Sequence, residues 1–175
     1  MTQMFFADSN GNYLGSFDGG DAGEYWDGEA WGAPPAGVVA VPSQPAVAGQ
    51  TWNGSAWVDT STSLTNKAQA TYNGLINGGL AITSASTPAL NGTYDVSIAG
   101  QQRITAMQAA ILTSAALFPG YWHPTLTGAP VTMTVAQFTE IAEAALAFVA
   151  ECVAALSTIT AGGTATFPSA SATVA

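Results

Sequence analysis

The feature that most constrains the fold is a stretch in which apolar residues recur with the period of an α-helix. The apolar positions share one face of a predicted helix and are Phe138, Ile141, Ala145, Phe148, Cys152, Val153 and Leu156. Glu140, Glu143 and Glu151 lie off that face. Thr134 and Gln137 have the spacing of a capping box, which marks the start of the helix. Such a helix buries its apolar face against a second layer, so we expect Phe138, Ile141, Phe148 and Val153 in a core.

Two shorter helices are predicted before this one. The first ends at Asn77-Gly78-Gly79, where glycine can adopt the positive φ of a helix C-cap, and its apolar face consists of Leu64, Ala68, Tyr72, Leu75 and Ile76. The second begins after Ser97, a favourable N-cap residue, and ends at Phe118-Pro119-Gly120. Its predicted stripe is Ile104, Met107, Ile111 and Ala115.

Strand-like segments accompany these helices. Leu80–Ser84 and residues 93–96 flank a turn-rich segment, so they are predicted to form a hairpin. Trp122 is expected in the connection before the last helix, and residues 164–167 are strand-like. The prediction for residues 61–175 is therefore an α+β domain of about three helices with a small β-hairpin and a strand-like tail.

Residues 1–60 are predicted to be rich in β-hairpins. Aromatic segments at residues 5–7 and 13–17 flank Asn10-Gly11, a dipeptide that favours a tight turn, so we expect an antiparallel pair. A calcium loop using Asp8, Asn10 and Asn12 is the alternative. The bidentate glutamate that such a loop needs downstream is missing, which favours the hairpin.

A short repeat follows, in which Trp26-Asp27-Gly28-Glu29-Ala30-Trp31 is echoed by Trp52-Asn53-Gly54-Ser55-Ala56-Trp57. Each copy is predicted to be a miniature hairpin. With Asn53-Gly54 as the two-residue turn, Trp52 faces Ser55 and the two indoles are diagonal neighbours. Paired indoles can stack on sugar rings, so the candidate binding residues are Trp26, Trp31, Trp52 and Trp57. The simpler interpretation is that they pack a small β-module that has few other core residues.

A proline-rich segment, residues 33–50, separates the two copies. Its prolines interrupt strand ladders and favour extended chain, so we interpret it as a linker or as a strap that becomes ordered along a partner. The polar residues 58–63 follow, and the domain boundary is predicted there. Residues 1–60 are then an attachment segment and residues 61–175 the C-terminal domain.

The charge distribution excludes several classes of partner. Lys67 and Arg103 are the only lysine and arginine, against 11 acidic residues, for a net charge of −9. Two isolated cations cannot line a path for nucleic acid or bind an anionic lipid surface. The low charge content, 7% against roughly 25% in average proteins, leaves uncharged faces that favour association with other subunits.

The sequence also carries expectations about location. The most apolar run, residues 144–150, is bounded by Glu143 and Glu151 and is shorter than the roughly 20 residues of a membrane span, so none is expected. Residues 1–10 lack the basic and apolar regions of a secretory signal. The single cysteine, Cys152, allows no internal disulfide. Synthesis in a reducing cytosol is therefore expected.

Residues that could perform catalysis are isolated in the sequence. His123 lies in a loop without a nucleophile motif, and Cys152 lies on an apolar helix face. Five carboxylates cluster near the first tryptophan hairpin, an arrangement more typical of a solvated surface than of an acid–base pair: Asp18, Asp21, Glu24, Asp27 and Glu29. We expect no enzyme, no cofactor and no metal.

Residues 64–156 resemble an α+β domain found at the C-terminal end of many tail and tail-fibre-associated proteins of tailed bacteriophages. The sequence segments that carry the resemblance are GLAITSASTPALNGTYDVS at residues 79–97, Tyr121-Trp122-His123-Pro124, and TMTVAQFTEIAEAALAFVAECVAAL at residues 132–156. Loops of this kind commonly read Trp-Pro-Asp, whereas here His123 is inserted. The resemblance implies a location and a role in assembly, and it supplies no catalytic residues.

Three functions follow as expectations. The first is a structural component of the virion at the tail, tail tip or fibre, present in multiple symmetric copies, contacting other phage tail proteins and assembled in the host cytoplasm. The second is a fibre-assembly chaperone that is absent from the mature particle. The third is a carbohydrate- or receptor-binding module that uses the four tryptophans of the hairpins.

Overall fold

The computed structural model describes residues 3–175 and has the predicted α+β class. In chain order the strands are β1 (Gln3–Ala7), β2 (Tyr13–Asp18), β3 (Tyr25–Trp26), β4 (Trp31–Gly32), β5 (Val39–Val41), β6 (Thr51–Trp52), β7 (Trp57–Val58), β8 (Leu80–Ser84), β9 (Gly92–Tyr94), β10 (Tyr121–Trp122), β11 (Val131–Thr132) and β12 (Ser171–Val174). The helices are α1 (Ser61–Gly78), α2 (Ile98–Thr113) and α3 (Val135–Thr160). Short 3₁₀ turns lie at Pro88–Leu90 and Ala115–Leu117.

The chain divides into two compact units, the first ending at Lys67 and the second being Ala68–Ala175. The division lies within α1, whereas the sequence placed it before residue 61. The beginning of α1 is held by the first unit: Lys67 Nζ lies 2.6 Å from a carboxylate oxygen of Asp59, and Asn66 Nδ2 donates to the carbonyl of Ala48 at 2.8 Å.

The first unit contains a three-stranded antiparallel sheet in the order β2-β1-β5. The predicted pairing of the first two strands is confirmed, and Met4, Phe6, Ala7 and Val41 are buried in its core. The prolines of residues 33–50 were expected to interrupt strand ladders, but Val39–Val41 within this segment pairs with β1. The prolines Pro35 and Pro42 lie just outside that strand, where they break no ladder.

The turn between β1 and β2 is longer than the two-residue turn expected at Asn10-Gly11. One carboxylate oxygen of Asp8 accepts the backbone N–H groups of Asn10 and Asn12, each at 2.8 Å, and the other accepts the side-chain amide of Asn12 at 2.9 Å. Gly11 has φ +82°, and its carbonyl accepts the backbone N–H of Trp52 at 2.8 Å. The carboxylate therefore organises the turn, which ties the second tryptophan hairpin to the sheet.

The second unit contains the sheet β12-β8-β9. The β8–β9 hairpin confirms the prediction, although β9 is Gly92–Tyr94 and begins earlier than expected. The third strand is not at residues 164–167, as the sequence predicted, but at Ser171–Val174, and it runs parallel to β8. Its alternation of exposed and buried residues places Val174 in the core.

The helix boundaries follow local capping chemistry. The Ser97 side chain accepts the backbone N–H of Gly100, and Thr134 and Gln137 form the predicted capping box. α1 ends at Gly78, and Gly79 has φ +81°, as predicted. α2 stops at Thr113, earlier than predicted, so Ala115 lies in the following 3₁₀ turn and not on a helical stripe.

The core of the second unit joins α3 to the sheet. Phe138, Ile141 and Phe148 are buried as predicted, whereas Val153 is 48% exposed. Val153 follows Cys152 by one residue, and that step of about 100° rotates it off the face that the buried residues share. Trp122 was expected in a connection, but it lies in β10 paired with β11 and is buried against Phe138.

Within the described residues, α3 is long and apolar enough to cross a bilayer by length and composition alone. The sequence expectation considered only the uncharged run 144–150, whereas the whole helix has 26 residues. Its buried residues belong to the hydrophobic core of the second unit, together with β8 and β12. Packing in the core accounts for the apolar residues on the buried face of this helix.

Candidate functional site

The two tryptophan hairpins form as predicted, but each turn lies one position later in the chain, so the partner of the first tryptophan shifts by two residues. Trp26 lies directly opposite Trp31, and Trp52 directly opposite Trp57, instead of diagonally. The centroids of the paired rings are 5.4 Å apart in the first hairpin and 5.6 Å in the second. The turn is therefore centred on the glycine and the residue after it.

This register is set by the side chain that precedes each glycine. One carboxylate oxygen of Asp27 accepts the backbone N–H groups of Glu29 and Ala30, each at 2.8 Å. The amide oxygen of Asn53 makes the same contacts in the second hairpin, with Ser55 at 3.0 Å and Ala56 at 2.9 Å. Asp27 and Asn53 thus supply the acceptor, and glycine supplies the positive φ as the first central turn residue.

Both hairpins place their second tryptophan on an aromatic residue of β2. Trp31 packs edge-on against Phe17, with ring centroids 6.3 Å apart, and Trp57 packs edge-on against Tyr13 at 5.9 Å. The Trp57 indole N–H also donates to the carbonyl of Ser43 at 2.9 Å. The internal repeat therefore encodes two copies of one docking contact on the same strand.

A surface groove of about 230 Å³ lies beside the first hairpin and is lined by Phe17, Asp18, Trp26 and Trp31. All three rings are half-buried, and Asp18 is exposed. Gly20 permits the packing, because a Cβ atom there would lie 2.6 Å from the Trp31 ring. The sequence predicted the two tryptophans as binding residues and Asp18 only as one of five clustered carboxylates, and it did not indicate a binding role for Phe17. The signal was the sequence Phe-Asp-Gly-Gly at the end of a predicted strand.

The remaining carboxylates near the groove have different roles. Glu24 accepts the backbone N–H of Asp21 at 2.8 Å. Hydrogen bonds from the backbone N–H groups of Ala30 and Glu29 lower the pKa of Asp27 below its ordinary value. Glu24 and Asp27, two of the five carboxylates that cluster in the sequence, therefore accept hydrogen bonds from the backbone of their own loop and turn.

The two candidate catalytic residues of the second unit are a hydrogen-bonded histidine and a buried cysteine. The Nδ1 atom of His123 lies 2.8 Å from the carbonyl of Gly128. Cys152 is fully buried, and both burial and the neighbouring Glu151 raise the pKa of its thiol. A buried thiol with a raised pKa is a poor nucleophile at neutral pH.

The Arg103 side chain in the same unit contacts an aromatic ring, a carboxylate and a backbone carbonyl. Its guanidinium carbon lies 5.0 Å from the centroid of the Trp122 ring, and one of its nitrogens lies 4.0 Å from the Asp95 carboxylate. A second nitrogen donates to the carbonyl of His123 at 3.0 Å. The side chain thus connects α2 to the loop that follows β10.

Metal-ligating side chains are not clustered in the part of the chain that the structure describes. Across residues 3–175 there is no group of three or more histidine, cysteine, aspartate or glutamate side chains arranged to hold a metal ion. The Asp8 carboxylate, which was considered as a calcium ligand, is used by the turn contacts described above.

The fold and the site define a two-unit α+β protein in which an aromatic hairpin module precedes a helical domain. Residues 62–172 match the model of the family described as Domain of unknown function (DUF4376), which covers more than half of the chain, and the protein belongs to that family. No curated protein matches the chain. No solved structure matches it either.

Proposed function

We propose that this protein is a structural component of a tailed-bacteriophage virion, located at the tail, tail tip or fibre, and that it acts through protein–protein contacts. The resemblance at residues 79–97 and 132–156 supports the phage assignment. In the structure, residues 79–97 contain the β8–β9 hairpin and end at the Ser97 N-cap. Residues 132–156 contain the capping box and most of helix α3.

The observation that carries the assembly role is the exposure of four indoles on hairpins held by their own hydrogen bonds. Trp26, Trp31, Trp52 and Trp57 are each half-buried, although aromatic side chains of this size contribute most when they are fully covered. Only 7% of the residues of the chain are charged, and the five carboxylates between residues 18 and 29, beside Trp26 and Trp31, favour a partner of opposite charge. Contact with another subunit would complete their burial.

The proposed role is not enzymatic. His123 and Cys152 are engaged in packing, and the Asp27 carboxylate is bound to its own turn. A turnover assay on bacterial surface polysaccharide should therefore show no cleavage. Cleavage that disappears on changing Asp27 or Glu29 to alanine would overturn this part of the proposal.

Mass spectrometry of gradient-purified virions tests the structural role. The protein should copurify with the major capsid protein at a fixed ratio to a tail protein, while an abundant host cytosolic protein is depleted. Cross-linking of intact particles should join residues of the first unit to neighbouring subunits more often than residues of α3. Absence from virions, with abundance in lysate bound to a fibre, would instead establish the chaperone.

Carbohydrate recognition is the other candidate function, and the open groove beside Trp26 and Trp31 favours it. Indole faces stack on sugar rings, and Asp18 can accept a hydroxyl hydrogen bond. A glycan array with the purified protein tests this function directly. Binding that is lost on changing Trp31 to alanine would support recognition of a receptor.

A further inference from the structure

The groove beside the first hairpin combines aromatic faces with a carboxylate. Phe17, Trp26 and Trp31 supply ring surface, and Asp18 supplies a hydrogen-bond acceptor with a negative charge. The faces of such rings attract cations, and a guanidinium group can in addition donate paired hydrogen bonds to a carboxylate. The groove therefore has the complementary chemistry for an arginine side chain.

The second unit shows how this chain itself accommodates an arginine. Arg103 lies over the Trp122 ring and beside Asp95, with the guanidinium carbon 5.0 Å from the ring centroid. The groove in the first unit offers the same two kinds of group, with Trp26 and Trp31 in place of Trp122 and Asp18 in place of Asp95. What it lacks is the arginine.

Charge also favours a cationic occupant over a neutral sugar. Five carboxylates lie between residues 18 and 29, and no lysine, arginine or histidine lies among them. A negative field of this kind attracts and orients a cation, whereas it contributes little to the binding of a neutral ring.

We propose that the groove formed by Phe17, Asp18, Trp26 and Trp31 binds an arginine side chain of a partner polypeptide. The guanidinium stacks on an indole face and donates N–H groups to the Asp18 carboxylate. The inference deepens the assembly role proposed above, and it rests on that role for the existence of a protein partner.

The arginine must come from a different protein and not from a second copy of this chain. The sequence contains one lysine and one arginine, and each is already engaged. Lys67 lies 2.6 Å from an oxygen of Asp59, and Arg103 contacts Trp122, Asp95 and the carbonyl of His123. Contacts between identical copies therefore leave the groove without its cation.

Nuclear magnetic resonance with short peptides tests the proposal on the full chain. The five indole N–H signals are assigned by single tryptophan-to-phenylalanine variants. The chain is titrated with the acetylated, amidated peptide Gly-Arg-Gly and with the same peptide carrying citrulline, a neutral isostere of arginine. The signals of Trp26 and Trp31 should shift saturably with the arginine peptide only, while those of Trp52, Trp57 and Trp122 stay in place.

Two charge variants separate the contribution of the Asp18 carboxylate from the effect of net charge. Asp18→Asn should raise the apparent Kd of the arginine peptide by about tenfold, because it removes the charge-assisted acceptor. Asp21→Asn changes the net charge equally but lies outside the groove, so its Kd should remain within about twofold of the parent value. Unchanged Trp52 and Trp57 signals in both variants show that the hairpin module remains folded.

Several outcomes would overturn the inference: no saturable shift, equal shifts with citrulline, or equal loss of affinity in the two variants. Shifts produced by a neutral oligosaccharide such as chitotriose, without shifts from the arginine peptide, would overturn it in favour of carbohydrate binding. Virion proteomics is independent of these titrations. Failure of the groove with retention in virions refutes this inference alone, whereas absence from virions refutes the proposed function.

Discussion

Arg103 lies over the indole ring of Trp122, with its guanidinium carbon 5.0 Å from the ring centroid. The same guanidinium donates to the carbonyl of His123 at 3.0 Å. One side chain thereby covers a core tryptophan and satisfies the backbone of the loop after β10.

Replacing Arg103 with lysine should lower the free energy of unfolding by roughly 1–2 kcal/mol, because a flexible ammonium cannot stack on the ring and reach the carbonyl in one geometry. Urea denaturation followed by nuclear magnetic resonance measures the change, with the indole N–H signal of Trp122 reporting on the second unit and that of Trp57 on the first. Lys67→Arg is the matched control: it exchanges the same two residue types at a solvent-accessible ion pair with Asp59 and should change stability by less than about 0.5 kcal/mol. Equal effects of the two substitutions would contradict the role of Trp122.

Phe148→Ala should destabilise the second unit by roughly 3–5 kcal/mol, because it leaves a cavity where a buried aromatic ring had been. Val153→Ala removes an apolar side chain from the same helix at a position that is 48% exposed, and it should cost less than about 1 kcal/mol. Chemical denaturation of both variants gives the comparison. A larger effect at Val153 would mean that a different face of α3 is buried.

Replacing either of two helical glycines with alanine should change the melting temperature, and the two changes should have opposite signs. At Gly100 a Cβ atom would collide with the backbone carbonyl of Asp95, so Gly100→Ala should lower the melting temperature. Nothing lies within 4 Å of a Cβ atom at Gly74, so Gly74→Ala should gain about 1 kcal/mol of helix propensity. Calorimetry on the two variants measures both shifts. A rise in melting temperature for Gly100→Ala would show that α2 packs less closely on Asp95, and a fall for Gly74→Ala would contradict the open space at that position.

The two hairpin turns should differ in their response to acid. The Asp27 pKa is lowered by the N–H groups of Ala30 and Glu29, so the carboxylate stabilises its turn at neutral pH. That contribution is lost as the pH falls below the ordinary value of 3.8 and through the lower pKa of the folded state. Asn53 makes the same contacts without a titratable group and should be insensitive.

Amide signals report on each turn separately. Those of Glu29 and Ala30 should move at acidic pH, whereas those of Ser55 and Ala56 should not. In Asp27→Asn the first turn should become as insensitive as the second. Acid-dependent movement at Ser55 of the same size as at Glu29 would instead indicate general unfolding of the first unit.

The parts of the fold that sequence predicts well are those decided within one or two turns of chain. The Thr134–Gln137 box, the Ser97 cap and Gly79 were all predictable, because their partners lie three or four residues away. Val153 is apolar like its buried neighbours, but a step of about 100° from Cys152 turns it away from the face that they share, so its exposure follows from helix geometry and not from residue type.

The misplaced tryptophan register has a different origin. Asn-Gly and Gly-Ser are both acceptable two-residue turns. In the observed hairpin the Asn53 side chain accepts the backbone N–H groups of Ser55 and Ala56, which places Gly54-Ser55 at the centre of the turn. The groove was only half predicted because Asp18 belongs to β2, and its approach to Trp31 depends on docking between segments. Strand β5 could not be recognised in the proline-rich segment for the same reason, because only its pairing with β1 identifies it.

The parallel pairing of β12 with β8 has a consequence for the order in which the protein folds during synthesis. Thr83 and Thr173 are neighbours in this ladder although 90 positions separate them. The sheet of the second unit therefore stays incomplete until the ribosome has made residue 174, and closing so long a loop is entropically costly. The first sheet needs only residues 3–41, and the second tryptophan hairpin ends at Val58, so both hairpins are available to a partner before the helical domain is finished.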